Sequence, residues 1–254
     1  MERKCFVFLF LTFYLIGFAQ NKKIDTANML CSYVYEYLTD TLSGEQQRKE
    51  DLLYLQIGAE CSKCYSYYTY QCDSLMASPN GDKLWDSFLT EAIGKGLKGR
   101  QLRNAIPHRR MTATIYKNYP QGKITVTDFL LGQYYLYEDA LNSQEWNIES
   151  DSMKVVLGHE CQKATCSFRG RKWTAWFALD VPVSDGPLKF CGLPGLIMEV
   201  YDRGKQYYFC INGMQQVSAT PITFGILDKD FKHFQKIFYY KINLLKLFFL
   251  DFIF

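Results

Sequence analysis

The most reactive pattern in the sequence is a pair of cysteines separated by two residues, Cys61-Ser-Lys-Cys64. This spacing is shared by redox-active thiol pairs and by half of a zinc site. A redox pair of the thioredoxin kind belongs to a strand–helix–strand unit, and the flanking sequence predicts none. No second pair and no nearby histidine completes a zinc shell, although Cys31 and Cys72 are available in principle. Structural disulfides are therefore favoured, with thiol chemistry and metal binding as the alternatives.

The number of cysteines also favours disulfides. The chain has nine cysteines, and loss of Cys5 with a predicted leader leaves eight. An even number in an oxidising compartment indicates disulfides, although sequence alone leaves their connectivity open. The shortest loops favour pairs within 61–72 and a link between Cys191 and Cys210. The candidates for disulfide formation are Cys61, Cys64, Cys72, Cys161, Cys166, Cys191 and Cys210.

A possible ligand site lies on a predicted strand that carries large rings on both faces. Trp173 and Trp176 point to opposite sides of this strand because neighbouring side chains alternate. Arg169, Arg171 and Lys172 surround the turn before it. These cations could bind an anionic head group while the rings pack against its apolar tail. The alternative is a solvated hairpin tip above a strand that is simply packed.

A stiff loop follows this strand and carries the most distinctive residues of the chain. Pro194 and Gly195 suit the second and third positions of a type II turn, because proline presets φ and glycine tolerates a positive φ. Asp185-Gly-Pro187 predicts another sharp turn upstream. Lys189 and Phe190 lie between the two turns, where the loop either presents them to a ligand or only sets the strand register. The motif residues of the loop are Gly192, Leu193, Pro194, Gly195, Leu196 and Ile197.

Other catalytic chemistry has little support in the sequence. The three histidines are far apart, and no nucleophile-elbow, zinc-protease, phosphate-loop or dinucleotide pattern occurs. Asp180 and Asp185 flank a short segment and are best interpreted as turn caps. We therefore expect no catalytic residues, no cofactor and no resident metal.

The pattern along the chain predicts an antiparallel sheet. Alternating polar and apolar residues predict strands at 32–38 and 51–57. Three hairpins are predicted further along, at 112–127, 155–177 and 196–211, each with a turn rich in glycine or proline. One amphipathic helix is expected at about 82–97, with its apolar stripe packed against the sheet. The predicted class is mainly β (α+β), a curved antiparallel sheet or half-barrel with this helix on it.

The ends of the chain suggest an exported protein. A short charged start is followed by an apolar run that ends at Gly17-Phe-Ala19, which predicts a signal peptide at 1–19 cleaved after Ala19. Residues 20–230 are expected to form a single β-rich domain. The apolar tail at 231–254 fits either an interfacial helix or a truncated or frame-shifted coding end.

Four blocks of sequence carry a resemblance to a known family. They are Leu157-Gly-His-Glu-Cys-Gln-Lys-Ala164, Phe168-Arg-Gly-Arg-Lys-Trp-Thr-Ala-Trp176, Asp185-Gly-Pro-Leu-Lys-Phe190 and Gly192-Leu-Pro-Gly-Leu-Ile197. Together they resemble the GLPGLI family, which is named for the last of them. The resemblance implies an exported protein of a Gram-negative envelope, periplasmic or associated with the outer envelope. It implies no established activity.

The function expected from these observations is non-catalytic binding of an apolar or amphiphilic, lipid-like ligand, or of an outer-envelope protein partner. The candidate ligand residues are Trp173, Trp176, Arg171, Lys189 and Phe190. A thiol-active or hydrolytic enzyme that uses Cys61 and Cys64, and a structural interaction module, are the alternatives. The formal net charge is only +3, so nucleic acid is not expected as a partner.

Overall fold

The structure is a computed structural model, and it describes residues 22–39, 47–130, 133–225 and 235–236. The predicted signal peptide and most of the predicted tail lie outside the described residues. The strands are β1 (Lys22–Leu38), β2 (Arg48–Gly58), β3 (Ser62–Ser66), β4 (Thr114–Lys117), β5 (Lys123–Leu130), β6 (Gln133–Ala140), β7 (Asn147–Val156), β8 (His159–Phe168), β9 (Arg171–Ala178), β10 (Ile197–Asp202), β11 (Tyr207–Phe224) and β12 (Gln235–Lys236). The helices are α1 (Tyr67–Ala77), α2 (Gly81–Gly94) and α3 (Gly99–Ala105).

The described strands form one large sheet in the order β12-β6-β5-β4-β3-β2-β1-β11-β10-β9-β8-β7. Strands β1 to β11 are antiparallel to their neighbours, and the two-residue β12 adds to β6 in parallel. The sheet is open, with β12 and β7 at its edges. The predicted class, mainly β with an antiparallel sheet, is confirmed at this level.

The predicted hairpins are present, with one difference in their bounds. β4 and β5 pair as expected, as do β8 with β9 and β10 with β11. The run predicted as one strand from Val155 is divided at Leu157 and Gly158, which both have positive φ and turn the chain from β7 into β8. The long strands β1 and β11 pair along most of their length and join the two halves of the sheet.

The hydrophobic core lies on one face of the sheet and includes the loop between β9 and β10. Side chains that alternate along the strands, such as Tyr33, Leu53 and Phe177, are fully buried there. Leu193 and Leu196 of the loop are buried in the same cluster. The loop is therefore part of the core rather than an exposed connection.

The prediction of one amphipathic helix packed on the sheet is not confirmed, although α2 lies where that helix was expected. The structure describes three short helices, and α1 is the one that contacts strands β2 and β3, whereas α2 packs against α1 and α3. On α2 the apolar residues Leu84, Phe88 and Ile93 are exposed. No helix in the described ranges is both long enough and apolar enough to span a membrane.

Candidate functional site

The loop between β9 and β10 is fixed to the opposite half of the sheet by a buried ion pair. Lys117, at the end of β4, is 3% exposed and pairs with Asp185. Its ammonium group also donates hydrogen bonds to the backbone oxygens of Gly186 and Phe190. All of these contacts are internal, so Lys117 holds the loop in place.

The predicted ligand residues Lys189 and Phe190 are buried beside this ion pair. The Lys189 ammonium lies 2.7 Å from the Tyr137 hydroxyl and 2.9 Å from a carboxylate oxygen of Asp139. The Phe190 ring packs edge-on against Trp173, with 4.7 Å between the ring centroids. The structure thus brings Trp173, Lys189 and Phe190 together, but inside the core, an arrangement that favours the packing interpretation of the loop.

The prediction of a type II turn at Pro194-Gly195, with glycine required for a positive φ, is wrong. Gly195 does not have a positive φ, and the backbone N–H of Leu196 donates to Val181 instead of closing a turn. Glycine is required because a Cβ at position 195 would lie 1.9 Å from the backbone oxygen of Ala178. The positive φ in this motif belongs to Gly192. Of the remaining motif residues, Leu193, Leu196 and Ile197 are buried.

Arg171 and Trp176 lie away from this cluster. The Arg171 guanidinium donates to Asp202 at 3.1 Å and to Gln206 at 2.7 Å, so its charge is already paired. Trp176 is on the opposite face of the sheet, with the Lys154 ammonium 4.8 Å from its ring centroid. Lys154 also forms an ion pair with Glu199 of β10, which lies opposite Trp176. The structure does not bring Trp176 together with the other predicted ligand residues.

The eight cysteines in the described ranges are all unpaired, so the predicted disulfides are not present. Cys61 and Cys64 are three residues apart in an extended segment and therefore point to opposite faces. Cys64 is in the main core, where its sulfur accepts a hydrogen bond from the backbone of Leu188, and Cys61 packs in a separate small cluster with Ala27 and Ile222. Burial raises the pKa of Cys61 to about 12 and that of Cys64 to about 11. Neither thiol is activated, and the described residues contain no His/Cys/Asp/Glu cluster that could hold a metal.

A cavity of about 340 Å³ lies on the outer face of the sheet, under α1. We call it the Lys63 cavity. Its floor is formed by β2 to β5, and its walls by α1, the segment 109–113 and the end of β11. Ring side chains at its walls include Tyr65, Tyr70 and Phe129. Its size is in the range of small-molecule sites.

Lys63 and Arg109 are the cations of this cavity, and Lys63 has no anionic partner among the described residues. Its ammonium lies 3.0 Å from the backbone oxygen of Thr223, and 5.4 and 5.5 Å from the ring centroids of Tyr65 and Tyr116. Burial lowers the pKa of Lys63 to about 8. A desolvated ammonium with one neutral acceptor and two ring neighbours is well suited to bind an anion.

Asp128 is a buried carboxylate at the edge of the cavity. Its Oδ1 accepts hydrogen bonds from the Thr112 hydroxyl at 2.6 Å and from the backbone N–H of Phe129 at 2.7 Å. Its Oδ2 is buried and has no hydrogen-bond partner. Burial raises the pKa of Asp128 despite these two hydrogen bonds. Near the rim, Arg109 pairs with Asp73 and so brings no unpaired charge.

Sequence reasoning missed the Lys63 cavity. Lys63 appears there only as a spacer between Cys61 and Cys64. The available signal was the alternation of Lys63 and Tyr65 on one face of a short strand, next to a segment rich in tyrosine. It was insufficient because the other walls of the cavity come from residues 109–129 and 220–225.

The comparisons with known proteins show the fold and leave the activity open. A family model described as "Protein of unknown function (Porph_ging)" matches residues 169–199, which comprise the turn between β8 and β9, β9 itself, the motif loop and the first residues of β10. The GLPGLI resemblance is not confirmed by this match. No match was found among the curated proteins.

Two crystal forms of PNGF-II are similar in structure. The first is 11% identical, with a TM-score of 0.51, and covers 86% of this chain. The second is 12% identical, with a TM-score of 0.48, and covers 85%. The chain spans about a third of the length of PNGF-II, since each match covers 33% of that chain. At this level of identity the likeness concerns the fold alone.

Proposed function

We propose that this chain is an exported envelope protein of the GLPGLI type that binds an amphiphilic ligand in the Lys63 cavity without catalysis. The anionic group of the ligand pairs with Lys63, and its apolar part packs against the ring walls. The observation that carries the proposal is the desolvated ammonium of Lys63, which faces the cavity with no described carboxylate as its partner.

The raised thiol pKa values favour binding over the enzymatic alternative. A thiol nucleophile must be present as thiolate, and burial keeps Cys61 and Cys64 protonated at neutral pH. Trp176 lies beneath the side chain of Lys154 rather than beside an open cavity of this size. We therefore propose the cavity under α1 as the ligand site, in place of the strand that carries Trp173.

Calorimetry with two ligands of equal chain length tests the proposed site. We expect decanoate to bind purified protein about 10- to 100-fold more tightly than decanol, since a hydrogen bond to a charged group contributes about 1.5–3 kcal/mol. Lys63→Met removes this preference, and Lys49→Met, at an exposed surface lysine, keeps it. Equal affinities for the two ligands, or an unchanged preference in Lys63→Met, would contradict the proposal.

Export is tested separately. The leader predicts that the protein recovered from the periplasm or outer envelope begins at Gln20. Cell fractionation followed by amino-terminal sequencing measures this directly. Recovery of the chain from the cytosol with Met1 still in place would contradict export.

A further inference from the structure

Helix α2 leaves large apolar side chains uncovered. The buried residues of α2 are Gly81 and Ala92, both small, whereas Leu84 and Phe88 are 42% and 37% exposed. These two are four residues apart, so they lie together on one face of the helix. A surface helix normally buries such side chains against its own protein. This pair, which we call the α2 patch, is therefore left for a partner to cover.

The charges of α2 are arranged for an anionic partner at this patch. Lys95 follows Leu84 by eleven residues, which is close to three helical turns, and so lies on the same face. Its ammonium neutralises Glu91, at 2.6 Å. Asp82 and Asp86, which form no ion pair among the described residues, are each two positions from Leu84 and therefore lie on the opposite face. The patch thus has no unpaired carboxylate of α2 beside it.

A basic segment adjoins the patch. Residues 92–110 run from the last turn of α2 through α3 to a wall of the Lys63 cavity, and they contain six lysines and arginines but no aspartate or glutamate. The whole chain has a net charge of only +3, so its positive charge is concentrated in this segment. Lys98, Arg100 and Arg103 are exposed and form no ion pair with a described residue.

We propose that the α2 patch and this basic segment dock together on an anionic lipid bilayer. Apolar side chains bordered by lysine and arginine hold interfacial helices on a membrane, because the first are buried among the lipids and the second are attracted to anionic head groups. A nucleic acid or an acidic, polar protein would pair with the cations but leave Leu84 and Phe88 in water. A bilayer uses both features.

The Lys63 cavity opens beside this surface. Tyr70 of α1 lines the cavity and is 48% exposed, and Arg109 of the basic segment is another of its wall residues. An amphiphile is held in a bilayer because its apolar part leaves the water there, so docking places the cavity next to the source of its ligand. This step rests on the proposed function, whereas the docking itself rests on the patch and the basic segment.

Sedimentation with lipid vesicles tests the docking. The purified protein is mixed with vesicles of phosphatidylcholine, and separately with vesicles of equal parts phosphatidylcholine and phosphatidylglycerol. We expect binding at least about 10-fold tighter to the mixed vesicles, and weaker binding in high salt, since salt screens the attraction. Equal affinity for the two compositions, or binding to neither, would overturn the proposal.

A charge variant assigns the attraction to the basic segment. The triple variant Lys98→Gln, Arg100→Gln, Arg103→Gln should bind the mixed vesicles about 100-fold more weakly, since each basic residue near such a surface contributes about fivefold. The matched control makes the same change at three exposed strand lysines, Lys22, Lys23 and Lys172. Its net charge falls by the same amount, but its loss of affinity should be much smaller.

A second variant, Leu84→Ser with Phe88→Ser, tests the apolar contribution. Both positions are exposed, so the fold should be kept, and the loss of buried apolar area should weaken binding to the vesicles at least about 10-fold. The matched control is Ile148→Ser with Val155→Ser, at exposed positions on β7. The tail at 231–254 is present in every variant and control, so it does not produce the differences between them.

The remaining outcomes count against the docking. Equal losses in a variant and its control would show that this surface is not the site. A wild type that is dimeric in sedimentation velocity, and monomeric as Leu84→Ser with Phe88→Ser, would assign the patch to a second copy of the chain. Tighter binding to an oligonucleotide than to the mixed vesicles would assign the basic segment to nucleic acid. Should a variant not fold, lipid composition and salt still decide with the wild type.

Lys63→Met separates this proposal from the proposed function. The variant should bind the mixed vesicles as the wild type does, because Lys63 lies inside the cavity and not on the α2 patch. A protein that docks on vesicles but does not bind decanoate would refute only the proposed function. Loss of vesicle binding in Lys63→Met would place the lipid contact at the cavity and overturn docking through the patch.

Discussion

Replacing Lys63 with methionine is expected to make the protein more stable at neutral pH. The ammonium of Lys63 is held among Tyr65 and Tyr116 with only the backbone oxygen of Thr223 as an acceptor, and burial lowers its pKa from 10.5 to about 8. Keeping the charge there costs folding free energy, and methionine has a similar shape without the charge. Natural proteins retain such a group where a ligand uses it.

The size of the effect follows from the two pKa values. They differ by about 2.5, and one pKa unit corresponds to about 1.4 kcal/mol, so the cost of the charge is at most about 3.5 kcal/mol at pH 7. Lys63 is only half-buried, and methionine loses the hydrogen bond to Thr223, which together reduce the expected gain to about 1–2 kcal/mol.

The pH dependence shows whether Lys63→Met is more stable because a buried charge is removed or because methionine packs better. Between pH 8 and 10.5 the unfolded chain binds more protons at Lys63 than the folded chain, so the stability of the wild type rises relative to the variant. Urea unfolding of both proteins at pH 7, 8.5 and 10 measures the difference, in which the titrations of the buried tyrosines and cysteines cancel. We expect the advantage of Lys63→Met to disappear towards pH 10.5. A variant that is less stable at pH 7, or an advantage that does not change with pH, would refute the reasoning.

Three further predictions follow from the same contacts. Decanoate affinity should begin to fall above pH 8, where Lys63 loses its proton, and calorimetry that finds it constant to pH 10 would contradict this. Lys117→Met or Asp185→Asn alone should lower the free energy of unfolding by about 3–5 kcal/mol in urea, and the double variant should recover much of it; additive losses would be the contrary result. Gly195→Ala should cost at least about 2 kcal/mol by thermal unfolding, whereas Gly94→Ala, with open space around it, should be neutral or stabilising, and equal effects would be inconsistent with the close approach at position 195.

The strands and hairpins could be predicted from the sequence because their signals are local. Alternation along β1 places Tyr33 and Tyr35 in the core, and the turn at Gly170 joins two alternating runs. The pairing of β1 with β11 could not be predicted in the same way, since it joins residues almost two hundred positions apart and no local pattern specifies it.

Sequence patterns also could not predict how the helices and the loop pack. The apolar stripe of α2 predicts a helix correctly but not its position, because α1 already occupies the sheet. α1 begins with tyrosines that pack on the sheet by their rings, as Tyr67 does against Tyr54 at 4.7 Å, and so has no apolar stripe to recognise. Likewise, the prediction of rings on both faces of β9 holds, but the ring of Trp173 is covered by Phe190 from its own loop.

The candidate site could not be predicted because its residues are unremarkable one by one. Lys63, Phe129 and Thr223 become a site only when three distant segments meet under α1. The chemical character of Lys63 also arises from that meeting, since burial sets its pKa.

A crystal structure of the protein with decanoate tests the central claim most directly. The account predicts the carboxylate within hydrogen-bonding distance of Lys63 Nζ and the alkyl chain against Tyr65 and Phe129. Decanoate bound elsewhere on the protein, with the Lys63 cavity unfilled, would contradict it.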